Sequence, residues 1–250
     1  MTSTDDTSTN NDGDRVLIVG GSSGMGLALA AALLERGTAV TIAGRSEARL
    51  KAARAALPRT GRLDTVTTDI MREEEVVRLF ARTGPLAHIV TTAASIEGAY
   101  RLLPDLEIEA ARRVIDSKLI GPLLLAKHGV SVLAKTGSIT FTSGIAAYRP
   151  APRGSVVASI NAALEGLARA LAVELGPIRV NAVSPGWVDS PLWEHVAGDA
   201  KDATLAAMAE RLPVGRIGRP ADISSAILFL IDNGFVTGTV LHVEGGHRLV

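Results

Sequence analysis

A glycine-rich stretch, VGGSSGMG at residues 19–26, is the first part of the sequence whose residue types and spacing suggest chemistry. Gly20 allows a tight turn, while Gly24 and Gly26 let a ligand approach the backbone and let the next helix pack closely. The N–H groups at the start of that helix suit a pyrophosphate. The spacing differs from the common G-x-G-x-x-G, so the strand–turn–helix context carries the prediction of a dinucleotide site. The residues assigned to this turn are Gly20, Ser22, Ser23, Gly24, Met25 and Gly26.

The kind of dinucleotide is indicated by the end of the second strand. NAD sites place Asp or Glu there to bind the ribose 2′-hydroxyl, and that carboxylate would repel a 2′-phosphate. This chain has Gly44-Arg45-Ser46 at that place, with no acid. Arg45 can pair with a phosphate through two hydrogen bonds, and Ser46 can add a hydroxyl donor. We therefore predict NADP(H) as the cofactor.

The glycine turn also fits a different class of enzyme. Residues 20–24, GGSSG, match the G-x-S-x-G nucleophile elbow of serine hydrolases, which would make Ser22 a nucleophile. Such an elbow lies inside an established sheet, whereas only a polar segment precedes this strand. A serine hydrolase is therefore a remote alternative.

The elements that must position these residues alternate along the chain. Strands are predicted at 15–19, 39–43, 63–67, 87–91, 138–142, 178–183 and 239–243. Helices are predicted at 24–36, 46–56, 72–83, 105–134 and 155–175. This pattern predicts an α/β fold, a Rossmann-type doubly wound parallel sheet, in a single domain over residues 14–250. Residues 1–13 are polar and are predicted to be a disordered tail.

Composition excludes several kinds of site. The chain has no cysteine, which excludes disulfides, thiol nucleophiles and cysteine zinc sites, and its histidines show no metal-ligand spacing. Basic and acidic residues balance to a formal net charge of +0, which favours neither nucleic acid nor an anionic membrane as a partner. With no secretory signal and no apolar run long enough to span a bilayer, we expect a cytoplasmic protein without a metal.

Together with the glycine turn, four later segments make the chain resemble the short-chain dehydrogenase/reductase family over residues 14–247. They are TDI at 68–70, ITFTSG at 139–144, RVNAVSPGWVDSP at 179–191 and TGTVLHVEGG at 237–246. The resemblance implies a small-molecule substrate and homodimers or homotetramers. The further cofactor contacts that it implies are Asp69 and Ile70 at the adenine, and Pro185, Gly186, Val188 and Ser190 at the nicotinamide. Ala93 and Ala94 also belong to the implied site, although Thr91-Thr92-Ala93-Ala94 replaces the family's Asn-Asn-Ala-Gly.

The family's catalytic tetrad of Asn, Ser, Tyr and Lys is altered in this chain. With Ser143 as the serine, the family's Tyr-x-Ala-Ser-Lys falls on VVASI at 156–160. Val156 then replaces the tyrosine and Ile160 the lysine, while Lys118 stands at the asparagine position. Val156 and Ile160 share one helix face, which we expect to be dry, because a lysine in an apolar pocket is unfavourable without a partner.

Two side chains are candidates to replace the lost groups. Lys118 lies on the helix expected beside 155–175, where its ammonium would occupy the space of the missing lysine. Tyr148, five residues after Ser143, lies on the loop that borders the substrate pocket in this family, and it would donate a proton. The predicted catalytic residues are therefore Ser143, Lys118 and Tyr148.

Three functions remain open, since a fold does not determine chemistry. One is hydride transfer to a carbonyl with the relocated groups. A second is reduction of an imine or activated alkene that takes its proton from water or from the substrate itself. The third is a non-catalytic NADP(H)-binding protein, a sensor or a partner subunit. Arg149 and Arg153 hint at an anionic group on the substrate, and residues 190–212 are predicted as a lid.

The helical segments 105–134 and 155–175 carry apolar residues on more than one face. A helix that is apolar all round needs burial on every side. In the family, these two helices pack against their copies in a neighbouring subunit. The prediction is therefore a homodimer or homotetramer.

Overall fold

The computed structural model describes residues 15–250, apart from the side chains of Leu192 and His195. The tail predicted at 1–13 lies outside the described residues. The strands of the described region are β1 (Val16–Val19), β2 (Val40–Gly44), β3 (Leu63–Thr67), β4 (Leu86–Thr91), β5 (Leu133–Thr142), β6 (Arg179–Pro185) and β7 (Val240–Val243). They form one parallel sheet in the order β3-β2-β1-β4-β5-β6-β7. This is the predicted Rossmann-type order, in which ligands bind outside the carboxyl ends of the strands where the winding reverses.

Helices cover both faces of the sheet. They are α1 (Gly24–Glu35), α2 (Glu47–Ala56), α3 (Glu73–Thr83), α4 (Ile108–Ile115), α5 (Gly121–Gly129), α6 (Ser155–Glu174), α7 (Leu192–Ala197), α8 (Lys201–Arg211) and α9 (Pro220–Asp232). Apolar side chains of α1, α2 and α9 pack on one face, and those of α3, α5 and α6 pack on the other. The central strands are apolar on both sides because both sides are covered.

The predicted elements agree with the structure except at 105–134, where β5 begins earlier than predicted, and after β6, where no helix was predicted. Each predicted strand other than β5 is present to within two residues at its ends. The long helical region predicted over 105–134 is present as α4, a π-helical turn (Asp116–Ile120) and α5 in succession, but it ends at Gly129, and the chain has entered β5 by Leu133. Helices α7, α8 and α9 were not predicted.

The break between α4 and α5 has a local cause. In a regular helix the N–H of residue 122 would bond the carbonyl of Lys118, but Pro122 has no N–H. The chain takes the wider π turn directly before this proline, and the turn buries Ser117 and Lys118. Such turns often occur at functional sites, and this one directs a lysine into the protein.

Helix α6 is the segment that the sequence analysis compared with the family's catalytic helix. By length and composition alone it is apolar enough to cross a membrane. In the fold it packs along β6, and Leu164, Ala168 and Leu171 join the core. Its amino-terminal half lies beside the end of β5, where Ser143 and Gly144 follow the strand.

Candidate functional site

The glycine turn after β1 has the shape that close packing requires. Gly20 has a φ of 89°, and a Cβ there would lie 2.7 Å from the backbone nitrogen of Ala93. A Cβ on Gly26 would lie 2.4 Å from the carbonyl oxygen of Gly20. Only glycine therefore lets α1 pack against the turn and lets the turn lie against the loop after β4.

The start of α1 is open to a ligand. Gly24 has a φ of 52°, and its missing Cβ would lie 3.7 Å from Ser190 on the loop after β6. Ser23 is the N-cap residue but makes no side-chain capping bond. The first N–H groups of α1 are therefore available to an anion such as a pyrophosphate. Ser22 and Met25 are half-buried beside them.

Arg45 follows β2 at the same edge of the sheet. Its side chain is exposed and makes no hydrogen bond or ion pair within residues 15–250. The guanidinium can therefore bind a phosphate without first breaking another contact. Ser46 has a second role that the sequence analysis missed, because its hydroxyl accepts a hydrogen bond from the backbone N–H of Arg49 at 3.3 Å and caps α2.

The residues expected at the adenine lie after β3. The carboxylate of Asp69 accepts a hydrogen bond from the backbone N–H of Met71 at 3.1 Å, and its own N–H donates to Glu75 at 2.8 Å. Ile70 is buried and lies against Gly121, where a Cβ would come within 2.7 Å of it. Their contact with adenine remains a prediction.

The loop after β6 carries the residues expected at the nicotinamide and the start of the predicted lid. Gly186 lies against Glu244, and a Cβ on it would be 2.6 Å from the Cα of that residue. The rings of Trp187 and Trp193 stack with their centroids 4.2 Å apart, and Trp193 Nε1 donates to the carbonyl of Val188 at 2.9 Å. Pro185 ends β6, and the side chain of His195 lies outside the described residues.

Lys118 reaches α6, as its position in the sequence suggested. Its Nζ donates to Oδ1 of Asn161 at 2.6 Å and to the carbonyl oxygen of Ser143 at 3.3 Å. The side chain is buried, and this burial lowers the pKa of Lys118 to about 8. The ammonium is therefore poised to exchange a proton near neutral pH.

The face of α6 that meets the end of β5 differs from the expected one. Asn161 and Glu165, not Val156 and Ile160, contact Ser143. Ile160 packs in an apolar cluster with Ala99, Val114 and Val157, and Val156 packs against that cluster. The expected dry surface exists, but a polar set of side chains lies beside it.

Glu165 is a buried carboxyl group that the sequence analysis missed. The hydroxyl of Ser143 donates to its Oε1 at 2.7 Å, and the hydroxyl of Tyr148 donates to its Oε2 at 2.5 Å. Loss of hydration and the hydrogen bond to Glu165 both raise the pKa of Tyr148. The signal in the sequence is an acid four residues after Asn161 in an otherwise apolar helix, which puts both on one face.

The two loop arginines border this region. Arg149 and Arg153 are exposed and make no ion pair with any described side chain. Arg153 has a φ of 69°, a left-handed conformation that is uncommon for a residue with a side chain. Whether they bind an anionic group remains a prediction.

The serine of the hydrolase alternative lies elsewhere. Ser22 is in the glycine turn, and no histidine among the described side chains hydrogen-bonds to it. A nucleophilic serine needs such a base within hydrogen-bond reach. The geometry therefore does not favour that alternative.

Comparisons with known proteins agree with the fold and with the motifs. A family model described as Enoyl-(Acyl carrier protein) reductase matches residues 19–248. Cis-4-hydroxycyclohexanecarboxylate dehydrogenase of Sinomonas cyclohexanicum is 37% identical over 248 residues, which cover 95% of this chain and 98% of the relative. The chain belongs to the short-chain dehydrogenase/reductase family, as its motifs predicted.

Solved structures show the same similarity. The MalC Reductase/Diels-Alderase from Malbranchea aurantiaca superposes with a TM-score of 0.87 at 34% identity, over 95% of this chain and 97% of that one. A small-chain dehydrogenase in complex with NADPH superposes with a TM-score of 0.80 at 33% identity, over 95% of this chain and 99% of the other.

Proposed function

We propose that the chain is an NADP(H)-dependent oxidoreductase that acts on a small-molecule carbonyl, imine or activated alkene with proton-carrying groups different from the family's. The observation that carries this proposal is that two such groups reach the same stretch of α6. Lys118 contacts Asn161 at 2.6 Å, and Tyr148 contacts Glu165 at 2.5 Å. Both contacts lie at the carboxyl end of β5, which is at the same edge of the parallel sheet as the glycine turn.

The residues present fit the cofactor. The open start of α1 would hold the pyrophosphate, and the unpaired guanidinium of Arg45 would hold the 2′-phosphate. When bound, NADPH supplies a hydride to the substrate. The family relative solved with NADPH supports this assignment.

Counting from Ser143 put the family's serine, tyrosine and lysine at positions 143, 156 and 160. We propose that these three positions each lie one residue later, and that Lys118 keeps the asparagine position. Val157 follows Gly144 by thirteen residues and Asn161 follows Val157 by four, so this register keeps the family spacing. A Cβ on Gly144 would lie 2.9 Å from the side-chain nitrogen of Asn161, and Lys118 contacts the oxygen of the same side chain. Three of the four positions therefore meet in space.

In this register all four family residues are replaced. Glycine and valine at 144 and 157 cannot exchange protons, and Ser143 supports Glu165 instead of orienting the substrate. Lys118 would provide positive charge where negative charge develops on the substrate oxygen. Tyr148 would donate the proton.

Binding and turnover assays test the proposal. The probes are cyclohexanone, pyrroline and cyclohexenone, with NADPH oxidation as the readout and calorimetry for NADPH binding. We expect turnover of at least one probe, reduced in Lys118→Met and Tyr148→Phe and unchanged in Lys51→Met, an exposed lysine on α2. Turnover that survives both changes would contradict the assignment of these residues.

A non-catalytic NADP(H)-binding protein is the second candidate. The raised pKa of Tyr148 favours it, because a phenol that holds its proton tightly is a weak acid catalyst. Calorimetric binding of NADPH without turnover of any probe would favour this function over the oxidoreductase.

A further inference from the structure

We propose that Tyr148 and Glu165 form a two-residue proton relay, in which the buried carboxyl group of Glu165 stores the proton and Tyr148 carries it to and from the substrate oxygen. This inference rests on the proposed oxidoreductase function. It assigns a role to Glu165 as a positioning and proton-storing residue that acts through Tyr148.

The geometry holds the relay in one arrangement. Tyr148 Oη lies 2.5 Å from Glu165 Oε2, and Ser143 Oγ lies 2.7 Å from Glu165 Oε1. Ser143 Oγ also donates to the carbonyl oxygen of Asn161 at 3.3 Å, one turn earlier on the same helix. The plane of the carboxyl group is therefore fixed at both oxygens, and Oε2 is aimed at the phenol.

Both partners of Glu165 are hydroxyl groups, which matters for a relay. A hydroxyl can donate to a carboxylate and can also accept from a carboxylic acid. The contacts at Glu165 therefore serve it in both protonation states without any change of partner. Among the described side chains, no Lys, Arg or His forms an ion pair with this carboxyl group, whose two oxygens are bonded by the hydroxyls of Ser143 and Tyr148.

Exposure gives the relay a direction. Glu165 is 4% exposed, whereas Tyr148 is 42% exposed on the loop after β5. The phenol thus joins an interior carboxyl group to the side of the protein where the loop lies. A proton can leave or reach Glu165 through Tyr148 along a single short hydrogen bond.

The charged and titratable groups around the pair come from β7, from the segment that follows β7 and from α6 itself. His242 of β7 packs edge-on against the Tyr148 ring at 4.6 Å, and burial lowers the pKa of His242. Arg248 lies 6.0 Å from the centre of the same ring and pairs with Glu244 at 3.2 Å. Arg169 follows Glu165 by one helical turn, and its charge favours tyrosinate.

The step conserves protons. As the substrate alcohol gives up its hydride to the cofactor, its hydroxyl proton passes to Tyr148 Oη while the phenol's proton passes to the carboxylate of Glu165. The alcohol becomes a carbonyl, the cofactor is reduced, and the proton on Glu165 then leaves to solvent through Tyr148; carbonyl reduction is the reverse of this step. Tyr148 ends with the proton count it began with, so tyrosinate does not accumulate and the high pKa of the phenol is no obstacle.

Titration of the full chain by tyrosinate absorbance tests the pair without any turnover. The chain has two tyrosines, so Tyr148→Phe isolates the signal of Tyr100. In Glu165→Gln the shape of the side chain is kept and the carboxylate is lost, and we expect the titration midpoint of Tyr148 to fall, because the hydrogen bond and the charge of Glu165 both raise the pKa of Tyr148. Glu174→Gln, an exposed change on the same helix, should leave it unmoved. An unchanged midpoint in Glu165→Gln would overturn the relay.

Kinetics with any reducible probe separate this inference from the proposed function. We expect Glu165→Gln to lower kcat about 100-fold with little change in KM and to alter the pH profile, and Glu165→Asp to recover part of the loss. Turnover that is unaffected by Glu165→Gln would overturn the relay and leave the oxidoreductase standing. A shifted midpoint in a protein that reduces no probe would support the coupled pair and overturn the function.

Discussion

Lys118 Nζ lies 2.6 Å from the side-chain oxygen of Asn161, and this contact joins the π-helical turn to helix α6. A cationic group thus lies against the helix that carries the family's lysine, but it comes from the neighbouring helix. The carbonyl of Ser143 takes a second hydrogen bond from the same ammonium at 3.3 Å. The charge is therefore held between two elements that line the candidate site.

The burial of Lys118 predicts a pH dependence of stability. Its pKa is about 8 in the folded protein and 10.5 without burial, so between these values the unfolded chain holds a proton that the folded chain has lost. Stability of the wild type therefore rises with pH through this window, by about 3 kcal/mol. The penalty for the buried ammonium is complete below about pH 8 and absent above about pH 10.5.

Lys118→Met removes this titration. The free energy of unfolding of the variant minus that of the wild type should fall by about 3 kcal/mol across the same window. Denaturant unfolding at several pH values measures it, with Lys51→Met as the exposed control. A pH-independent difference would show that the ammonium is not desolvated.

Cofactor preference depends on Arg45. Its guanidinium is exposed and unpaired within residues 15–250, so Arg45→Ala should weaken NADPH binding by about 1.5–3 kcal/mol and leave NADH binding nearly unchanged. Calorimetry with both nucleotides measures the effect, and Arg54→Ala at the far end of α2 is the control. Equal affinities of the wild type for NADPH and NADH would refute the assignment.

The register of the tetrad can be tested by rebuilding it. The variant with Lys118→Asn, Gly144→Ser, Val157→Tyr and Asn161→Lys places the family's four residues in the register that has its serine at position 144. We expect this variant to reduce cyclohexanone with NADPH. The pair Val156→Tyr with Ile160→Lys should not, and should lose stability, because Ile160 is 8% exposed among apolar neighbours. Reduction of cyclohexanone by the Val156→Tyr, Ile160→Lys pair and not by the four-residue variant would show that the register counted from Ser143 is the correct one.

Assembly is predicted from exposed apolar side chains on α5 and α6. Leu123 is 39% exposed and Val173 is 87% exposed. We expect a dimer or tetramer in sedimentation at micromolar concentration, and we expect Leu123→Glu with Val173→Glu to dissociate it. Val77→Glu on α3 is the control, since Val77 is 47% exposed on another face. A wild-type monomer would contradict the prediction.

The sequence by itself determined the sheet and the dinucleotide turn of this protein. Apolar runs such as 15–19 and the glycines at 20, 24 and 26 are local signals, because turn geometry and strand burial depend on neighbouring residues. The end of the helical region predicted over 105–134 was harder to predict from the sequence. The apolar Val132 and Leu133 continue the pattern of the preceding helix, although the chain there enters β5.

Only the tertiary structure decided which side chains of α6 face the end of β5. Successive helical residues point about 100° apart, so a count that differs by one residue selects a different face. The motif placed Ile160 there, and packing places Asn161 there, against Lys118. The role of Glu165 was also decided by the fold, because an acid in an apolar helix faces either water or a buried partner. Glu165 has buried partners, because the hydroxyls of Ser143 and Tyr148, on the segment after β5, both donate hydrogen bonds to its carboxyl group.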